Sequence, residues 1–423
     1  MVSNVAGCAR NAKYVPIELP RIRRTYQEAS VIDNRFAPDG RPRARGIGIP
    51  FPGRPGIFNA ITDVPGVMVG YVTLISGDGP LVPGQGPVRT GVTAILPRGH
   101  DGVGDPCAAG WYSLNGNGEM TGTTWIEEVG ALGLPITISN THALGACHAG
   151  TIRWIQRNHP RIAEEWLLPV AAETWDGYLN DINGDHVRCE HAIAALDAAT
   201  GGAIQEGSVG GGTGMNCYEF KGGSGTASRL VEFGSRNYTV GAFVQANFGA
   251  RHEIALGGLR LGHHLAADNP ISDTDWLIGD GERAQAGGLG SVIVIIATDA
   301  PLLPGQCKAL ARRVPLGLAR TGTSGGHFSG DIFLAFSSAN SGRLRSRIPV
   351  TSATDDEVET LSYLPWGRMD SFYEAVVESV EEAVANALVV NTEMIGRDGH
   401  RSPALPHEVV RAELARAGLL VVD

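Results

Sequence analysis

The residue best placed to do chemistry is Ser291. The small residues of AQAGGLG end there, and six apolar residues in succession, 292–297, begin. A serine in that place would sit at the mouth of a buried strand. Gly290 before it allows backbone conformations closed to other residues, so a peptide bond whose carbonyl faces the Ser291 hydroxyl is sterically available. Transfer of the Gly290 acyl group from nitrogen to the hydroxyl oxygen, followed by hydrolysis of the ester, would cut the chain and free the α-amine of Ser291. That amine titrates near 8, against about 10.4 for a lysine, and so is a usable general base at neutral pH. One residue would then supply both nucleophile and base. A Gly-Ser pair also simply begins strands, and on these residues alone both readings stand.

Other polar positions have the same two-sided character. Asn247 closes the apolar run 238–246 in QANFG, where asparagine is an ordinary turn former. Ser329 and Asp331 stand one residue apart in TSGGHFSGD, directly before the apolar run 332–336, and SGD by itself reads as a turn. Glu173 follows an apolar run in VAAETWDGYLND, with Trp175 and Tyr178 as neighbouring pocket walls. A partly buried carboxylate there could hold an ammonium by a charge-assisted hydrogen bond, or cap a loop. His327 receives no role, because an amine base needs no imidazole partner.

Metal and nucleotide sites find little support. Asp181-x-Asn183-x-Asp185 begins like a calcium loop but has His186 where glycine is required and Ala192 where the bidentate acid belongs. His186, Cys189 and His191 lack a fourth zinc ligand at a recognisable spacing. The GGGTG cluster at 210–214 completes neither a P-loop nor GxGxxG. No metal and no cofactor is expected.

The elements that must position these residues are short strands joined by tight turns. The 58 glycines follow no repeat period and cluster between apolar runs. Strands are expected at 67–73, 91–96, 238–246, 291–298 and 332–336, several of them apolar on both faces and hence covered on both sides by sheet and helix. Helices are expected at 146–158, 304–314, 371–386 and about 407–417. In the second, Cys307, Leu310, Ala311 and Val314 form one stripe. The third opens with Ser371 and Glu374 in capping-box spacing and puts Val376, Val380, Ala383, Val384 and Ala387 on one face. Gly418 stops the last.

Composition sets the outer limits. With 43% hydrophobic and 18% charged residues the chain can bury a large core. A formal charge of −10, with no basic run longer than RIRR at 21–24, argues against nucleic acid and is compatible with a substrate that has a cationic end. The six cysteines show no CxxC pair, and neither a signal-like segment nor a membrane-length apolar run is present, so a cytoplasmic protein that does not enter the membrane is expected.

Long ordered stretches then carry a resemblance. GSVIVIIATDAPLLP and LARRVPLGLARTGTSGGHFSGDIFLAFSSAN are similar to the peptidase family of the D-aminopeptidase DmpA and the β-peptidyl aminopeptidases. So are ITDVPGVMVGYVTL, RTGVTAILPRG, GNGEMTGTTWIEEVG, ITISNTHALG, GGGTGMNCYEFKGGSGTASR and VQANFGARHEIALGG. The resemblance covers most of the chain from about residue 58. It implies an α/β fold, a four-layer αββα sandwich resembling N-terminal nucleophile hydrolases with different connectivity. It implies a precursor cut at Gly290–Ser291 into fragments 1–290 and 291–423, which remain together as a heterodimer and assemble further, as tetramers of heterodimers in relatives. Residues 1–57 would be an arm or irregular segment and 58–423 one catalytic domain.

By the same resemblance Asn247 supplies the oxyanion-hole amide, Ser329 and Asp331 lie beside the nucleophile and orient its amine, and Glu173 binds the substrate amine. Some relatives have a longer glutamate where this chain has Asp331. The implied activity is an aminopeptidase acting on small peptides, amides or esters with a free amine through an acyl-enzyme on Ser291. Specificity for β-peptides, an acyltransferase resembling ornithine acetyltransferase, and an uncleaved, non-enzymatic module are the alternatives.

Overall fold

The computed structural model describes residues 33–272, 290–346, 348, 352–354 and 357–422. The segment 1–32, with RIRR, and the small residues 284–289 ahead of Gly290 lie outside the described residues. Asp33–Asp423 form one compact unit, so the irregular residues 33–57 are packed with the body.

The strands are β1 (Met68–Ser76), β2 (Val88–Leu96), β3 (Cys107–Ser113), β4 (Ala131–Leu132), β5 (Ile136–Asn140), β6 (Val170–Thr174), β7 (Asn216–Cys217), β8 (Phe220–Lys221), β9 (Gly223–Phe233), β10 (Arg236–Asn247), the small hairpin β11 (Ala255–Leu256) and β12 (Leu259–Arg260), β13 (Gly290–Thr298) and β14 (Ser329–Ser337). They build a four-stranded sheet, β1-β2-β5-β6, and a six-stranded sheet, β4-β3-β14-β13-β10-β9. The helices are α1 (Thr123–Val129), α2 (Leu144–Asn158), α3 (Cys189–Asp197), α4 (Pro304–Ala311), α5 (Val314–Arg320), α6 (Asp370–Val389) and α7 (His407–Arg416).

Three apolar layers order these elements. Val69, Ile95, Ile138 and Ala172 of the small sheet meet Phe243, Ile293, Ile295 and Leu334 of the large one. Cys147, Trp154, Ala192 and Leu196 of α2 and α3 cover the outer face of the small sheet. Leu310, Leu318, Val376, Val380 and Val384 of α4, α5 and α6 cover the outer face of the large one, against Val244, Val294 and Phe333. This is the expected αββα sandwich. β13 is buried along its length because it is covered on both faces, which is why its sequence is continuously apolar rather than alternating.

Helix α6 lies directly on β9, where Gly225 makes the approach possible: a β-carbon there would lie 2.0 Å from the carbonyl oxygen of Ala383. Buried ion pairs tie the 33–57 segment into this layer. Arg43 Nε pairs with Glu206 at 2.6 Å, and Arg45 and Arg229 reach Glu382 at 2.7 and 2.8 Å.

Two local expectations are corrected. The helix expected over 304–314 is broken, with α4 ending at Ala311 and α5 starting at Val314, because Pro315 cannot continue the first helix and instead occupies the first turn of the second. All four stripe residues are nonetheless buried. Helix α6 is capped at Met369 with no side-chain cap bond, so Ser371 and Glu374 form no capping box; the helix begins two residues earlier than that motif requires. Its expected apolar face is buried, but so is most of its circumference.

Candidate active site

Ser291 is the second residue of β13 and is 2% exposed. It pairs with Asn247, the last residue of antiparallel β10, while parallel β14 brings Ser329 beside Gly290 and Gly330 beside Ser291. Gly290 has no room for a side chain, since a β-carbon would lie 2.1 Å from the Asn247 carbonyl oxygen. On β13 the odd-numbered Ile293 and Ile295 point between the sheets and the even-numbered Val292 and Val294 toward the helices. Strand alternation therefore sends the Ser291 side chain, and that of its partner Asn247, into the layer between the sheets.

The same alternation separates Ser329 and Asp331 from the Ser291 hydroxyl. Ile332 and Leu334 of β14 point between the sheets, so Ser329 and Asp331 point to the other face, near the main chain at the start of β13. The two are bonded to each other and to Asn115: Ser329 Oγ donates to Asp331 Oδ1 at 2.5 Å, Asn115 Nδ2 donates to Asp331 Oδ2 at 2.9 Å, and the Asp331 main-chain N–H donates to Asn115 Oδ1 at 2.7 Å. Burial raises the Asp331 carboxyl above its ordinary value, against the hydrogen bonds from Ser329 and Asn115.

Around the hydroxyl, the Trp175 N–H donates to Ser291 Oγ at 3.3 Å. Asn247 Nδ2 donates to the Trp175 carbonyl at 2.9 Å, and Asn247 Oδ1 accepts the Asn216 N–H at 2.9 Å. A cavity of about 280 Å³ opens onto Gly290 and Ser291. Glu173, Trp175, Tyr178 and Asn247 line it, as do Asn117, Thr141, Asn216, Glu219, Ile271 and Phe328. A larger groove of about 350 Å³, lined by Trp125, Arg161 and Trp166, contains none of these polar groups and lies apart from Ser291.

Glu173 lies in β6 itself, not in the loop after it, and is 2% exposed. Its Oε1 accepts the Glu119 N–H at 2.9 Å and its Oε2 accepts the Thr141 hydroxyl. Burial raises its carboxyl above the ordinary glutamate value, with the Thr141 and Glu119 bonds opposing. Tyr178 is fixed as a wall by its hydroxyl, which donates to the Arg401 carbonyl at 3.2 Å, and by stacking on His400 at 4.7 Å. His327 is exposed and is not part of the cavity wall.

The sequence reading passed over Asn115, Asn117, Thr141, Asn216 and Glu219. Asn117, Thr141, Asn216 and Glu219 lie in stretches that carried the resemblance, GNGEMTGTTWIEEVG, ITISNTHALG and GGGTGMNCYEFKGGSGTASR, and Asn115 lies one residue before the first of these, but all are far from Ser291 along the chain. Only strand pairing and loop return bring them to the site.

Residues 59–402 match the model of the family described as peptidase family S58. This chain belongs to peptidase family S58. It is 46% identical over 376 residues to the β-peptidyl aminopeptidase of Sphingosinicella microcystinivorans, spanning 89% of this chain and 92% of that protein. Among solved structures, the L-aminopeptidase D-Ala-esterase/amidase of Ochrobactrum anthropi superposes with a TM-score of 0.81 at 44% identity, covering 90% of this chain and 99% of that one. It is described as a prototype for the serine aminopeptidases and a variant of the N-terminal nucleophile hydrolase fold. The β-aminopeptidase of a Burkholderia species gives 0.78 at 40% identity over 89% and 99% of the two chains. The S58 chain described here is a serine aminopeptidase, which sets aside the acyltransferase and the non-enzymatic alternatives. No described helix is long and apolar enough to cross a membrane.

Proposed function

We propose that Ser291, released as an N-terminal residue by cleavage of the Gly290–Ser291 bond, is the nucleophile of this aminopeptidase. The observation that carries this reading is the coincidence, at one buried serine, of a glycine that admits no side chain, a hydroxyl facing a 280 Å³ cavity and a paired asparagine amide. The free α-amine of Ser291 takes the hydroxyl proton as Oγ attacks the substrate carbonyl, and the Asn247 amide stabilises the oxyanion. The proton passes to the leaving amine as the scissile bond breaks. Water then hydrolyses the ester with the same amine as base, returning Ser291 and releasing the N-terminal residue.

Ser329 and Asp331, on the opposite face from the hydroxyl, act on the main-chain nitrogen of Ser291 and hold the amine once it is free. Glu173 binds the substrate ammonium, with Trp175 and Tyr178 as walls. The substrates are small peptides, amides or esters with a free amine. The likeness to the Sphingosinicella and Burkholderia enzymes favours β-amino-acid substrates as a second reading of the same pocket.

Fragments 1–290 and 291–423 would stay associated, because β14 and β13 of the second fragment sit between β3 and β10 of the first in one sheet. Assembly into tetramers of such heterodimers is carried over from the family, and mass measurement in solution tests it. The described cysteines are free thiols, which fits a reducing compartment, and we place the enzyme in the cytoplasm.

A denaturing gel of the purified protein tests the cleavage. Two bands of about 30 and 14 kDa are expected from average residue masses, the smaller beginning Ser-Val-Ile-Val. A single full-length band that persists on long incubation defeats the mechanism. Hydrolysis rates for matched α- and β-alanyl amides decide between the two substrate readings.

A further inference from the structure

The pocket holds a second carboxylate that this mechanism leaves unused. Glu219 lines the cavity with Ser291 and is only 9% exposed. Its backbone is unusual. Tyr218 and Glu219 form the two-residue turn between β7 and β8, with φ of +53° and +58°. Two successive left-handed residues are the geometry that Asn-Gly adopts with little strain and that a tyrosine-glutamate pair does not.

The turn is held from several sides. Arg251 Nε donates to the Tyr218 carbonyl at 3.0 Å and Arg251 Nη2 to the Glu219 carbonyl, while its guanidinium lies 3.4 Å over the Phe220 ring. The Tyr218 hydroxyl bonds the Thr321 hydroxyl at 2.7 Å. Arg251 thus directs its guanidinium at main-chain carbonyls, those of Leu265 and Ala267 included, rather than at the Glu219 carboxylate. Glu219 Oε2 accepts the Arg251 main-chain N–H at 3.3 Å and the Asn269 amide. Its Oε1 has no hydrogen-bond partner among the described residues.

Glu173 and Glu219 enter the pocket from different elements. Glu173 comes from β6 of the facing sheet, beside Thr141 and Glu119. Glu219 comes from the turn beyond β10, where the neighbouring Asn216 holds Asn247. With the substrate ammonium at Glu173 and its scissile carbonyl at Ser291, the chain beyond the scissile bond runs away from Glu173. We propose that Glu219 is a specificity-determining residue on the leaving-group side, and that this enzyme favours peptides whose second residue is a lysine or arginine. This rests on the reading of Ser291 as nucleophile and Glu173 as ammonium site. A buried carboxylate with a free oxygen makes a charge-assisted hydrogen bond to such a cation and disfavours an acidic leaving group by like-charge repulsion.

The test is a set of dipeptides sharing one N-terminal residue, with lysine, norleucine or glutamate second. The wild-type kcat/KM is expected to be about 10-fold higher for lysine than for norleucine, as for one hydrogen bond to a charged group, and lower for glutamate. In Glu219→Gln the lysine to norleucine ratio should fall to near unity, and in Glu219→Asp it should stay above unity. Each ratio is internal to one preparation, so partial misfolding does not move it. Glu173→Gln should weaken all three substrates together and keep the wild-type ratio. A wild-type ratio near unity, or a ratio unchanged in Glu219→Gln, overturns the proposal. If Glu219→Gln weakens all substrates alike and Glu173→Gln does not, Glu219 is the ammonium site and the reading of Glu173 fails instead.

Discussion

Asn247 and Ser291 stand directly opposite one another in the antiparallel pairing of β10 with β13, so their side chains leave the sheet on the same face. The Asn247 amide is oriented from both ends, by the Asn216 N–H on its oxygen and the Trp175 carbonyl on its nitrogen. One amide hydrogen remains for an oxyanion formed at Ser291. Removing a donor of this kind costs about 100-fold in kcat. Asn247→Ala should lose that much. Asn247→Asp keeps the acceptor for Asn216 but has no amide donor, and should be no better. A near wild-type kcat for Asn247→Asp in steady-state assays would remove the residue from the oxyanion site.

Asp331 gives a prediction of a different kind, because its side chain lies across the sheet from the Ser291 hydroxyl. An anion beside the freed amine favours the ammonium form and raises the pKa of that base. Asp331→Asn should lower it, shifting the acid limb of the kcat/KM profile to lower pH while kcat falls through loss of orientation. Ser329→Ala should shift the limb less, since it removes a neutral partner of the carboxylate. A pH–rate profile with the limb unmoved in Asp331→Asn places the residue outside the base.

For Glu173 the sign follows from burial. The carboxylate must be ionised to hold an ammonium, and burial has raised its pKa above 4.5. Binding of a free-amine inhibitor, such as an amino-acid amide, should therefore weaken as pH falls through a range above that of an ordinary glutamate. Glu173→Gln should raise KM for free-amine substrates about 10-fold or more, the scale of a hydrogen bond to a charged group, and abolish this pH dependence. Calorimetric titration of the inhibitor at several pH values checks both.

What the sequence disclosed and what it hid divide along physical lines. Ser291, Asn247 and the Ser329–Asp331 pair were readable because each sits where an apolar run meets a polar turn, a boundary that also marks the end of a strand. The face that each side chain takes was not readable, since it depends on register: one step between β13 and β14 puts Asp331 and the Ser291 hydroxyl on opposite faces. Glu173 looked like a loop residue because β6 is only five residues long and closely followed by glycine. Glu219 left no local signal at all. Its approach to the site depends on a left-handed turn stabilised by Arg251, thirty-odd residues away along the chain.

Lys221 shows how the scaffold behind Asn247 should respond to pH. It is fully buried, and its ammonium donates to the carbonyls of Met215 and Gly222 at 2.7 and 2.8 Å, closing the loop that carries Asn216 to Asn247. Burial lowers its pKa to about 7, opposed by the nearby Cys217 and Asp176. Between that value and the ordinary 10.5 the unfolded chain binds a proton that the folded one does not, so this residue makes stability rise with pH across the window. Lys221→Met lacks this dependence and leaves two carbonyls without their donor, a cost of about 1–3 kcal/mol. The wild type's advantage in melting temperature over Lys221→Met should therefore be larger at pH 9 than at pH 6. An advantage unchanged between pH 6 and pH 9 would show that Lys221 stays charged in the folded protein. The variant should also lose kcat more than KM, because Asn216 would no longer hold the Asn247 amide in place.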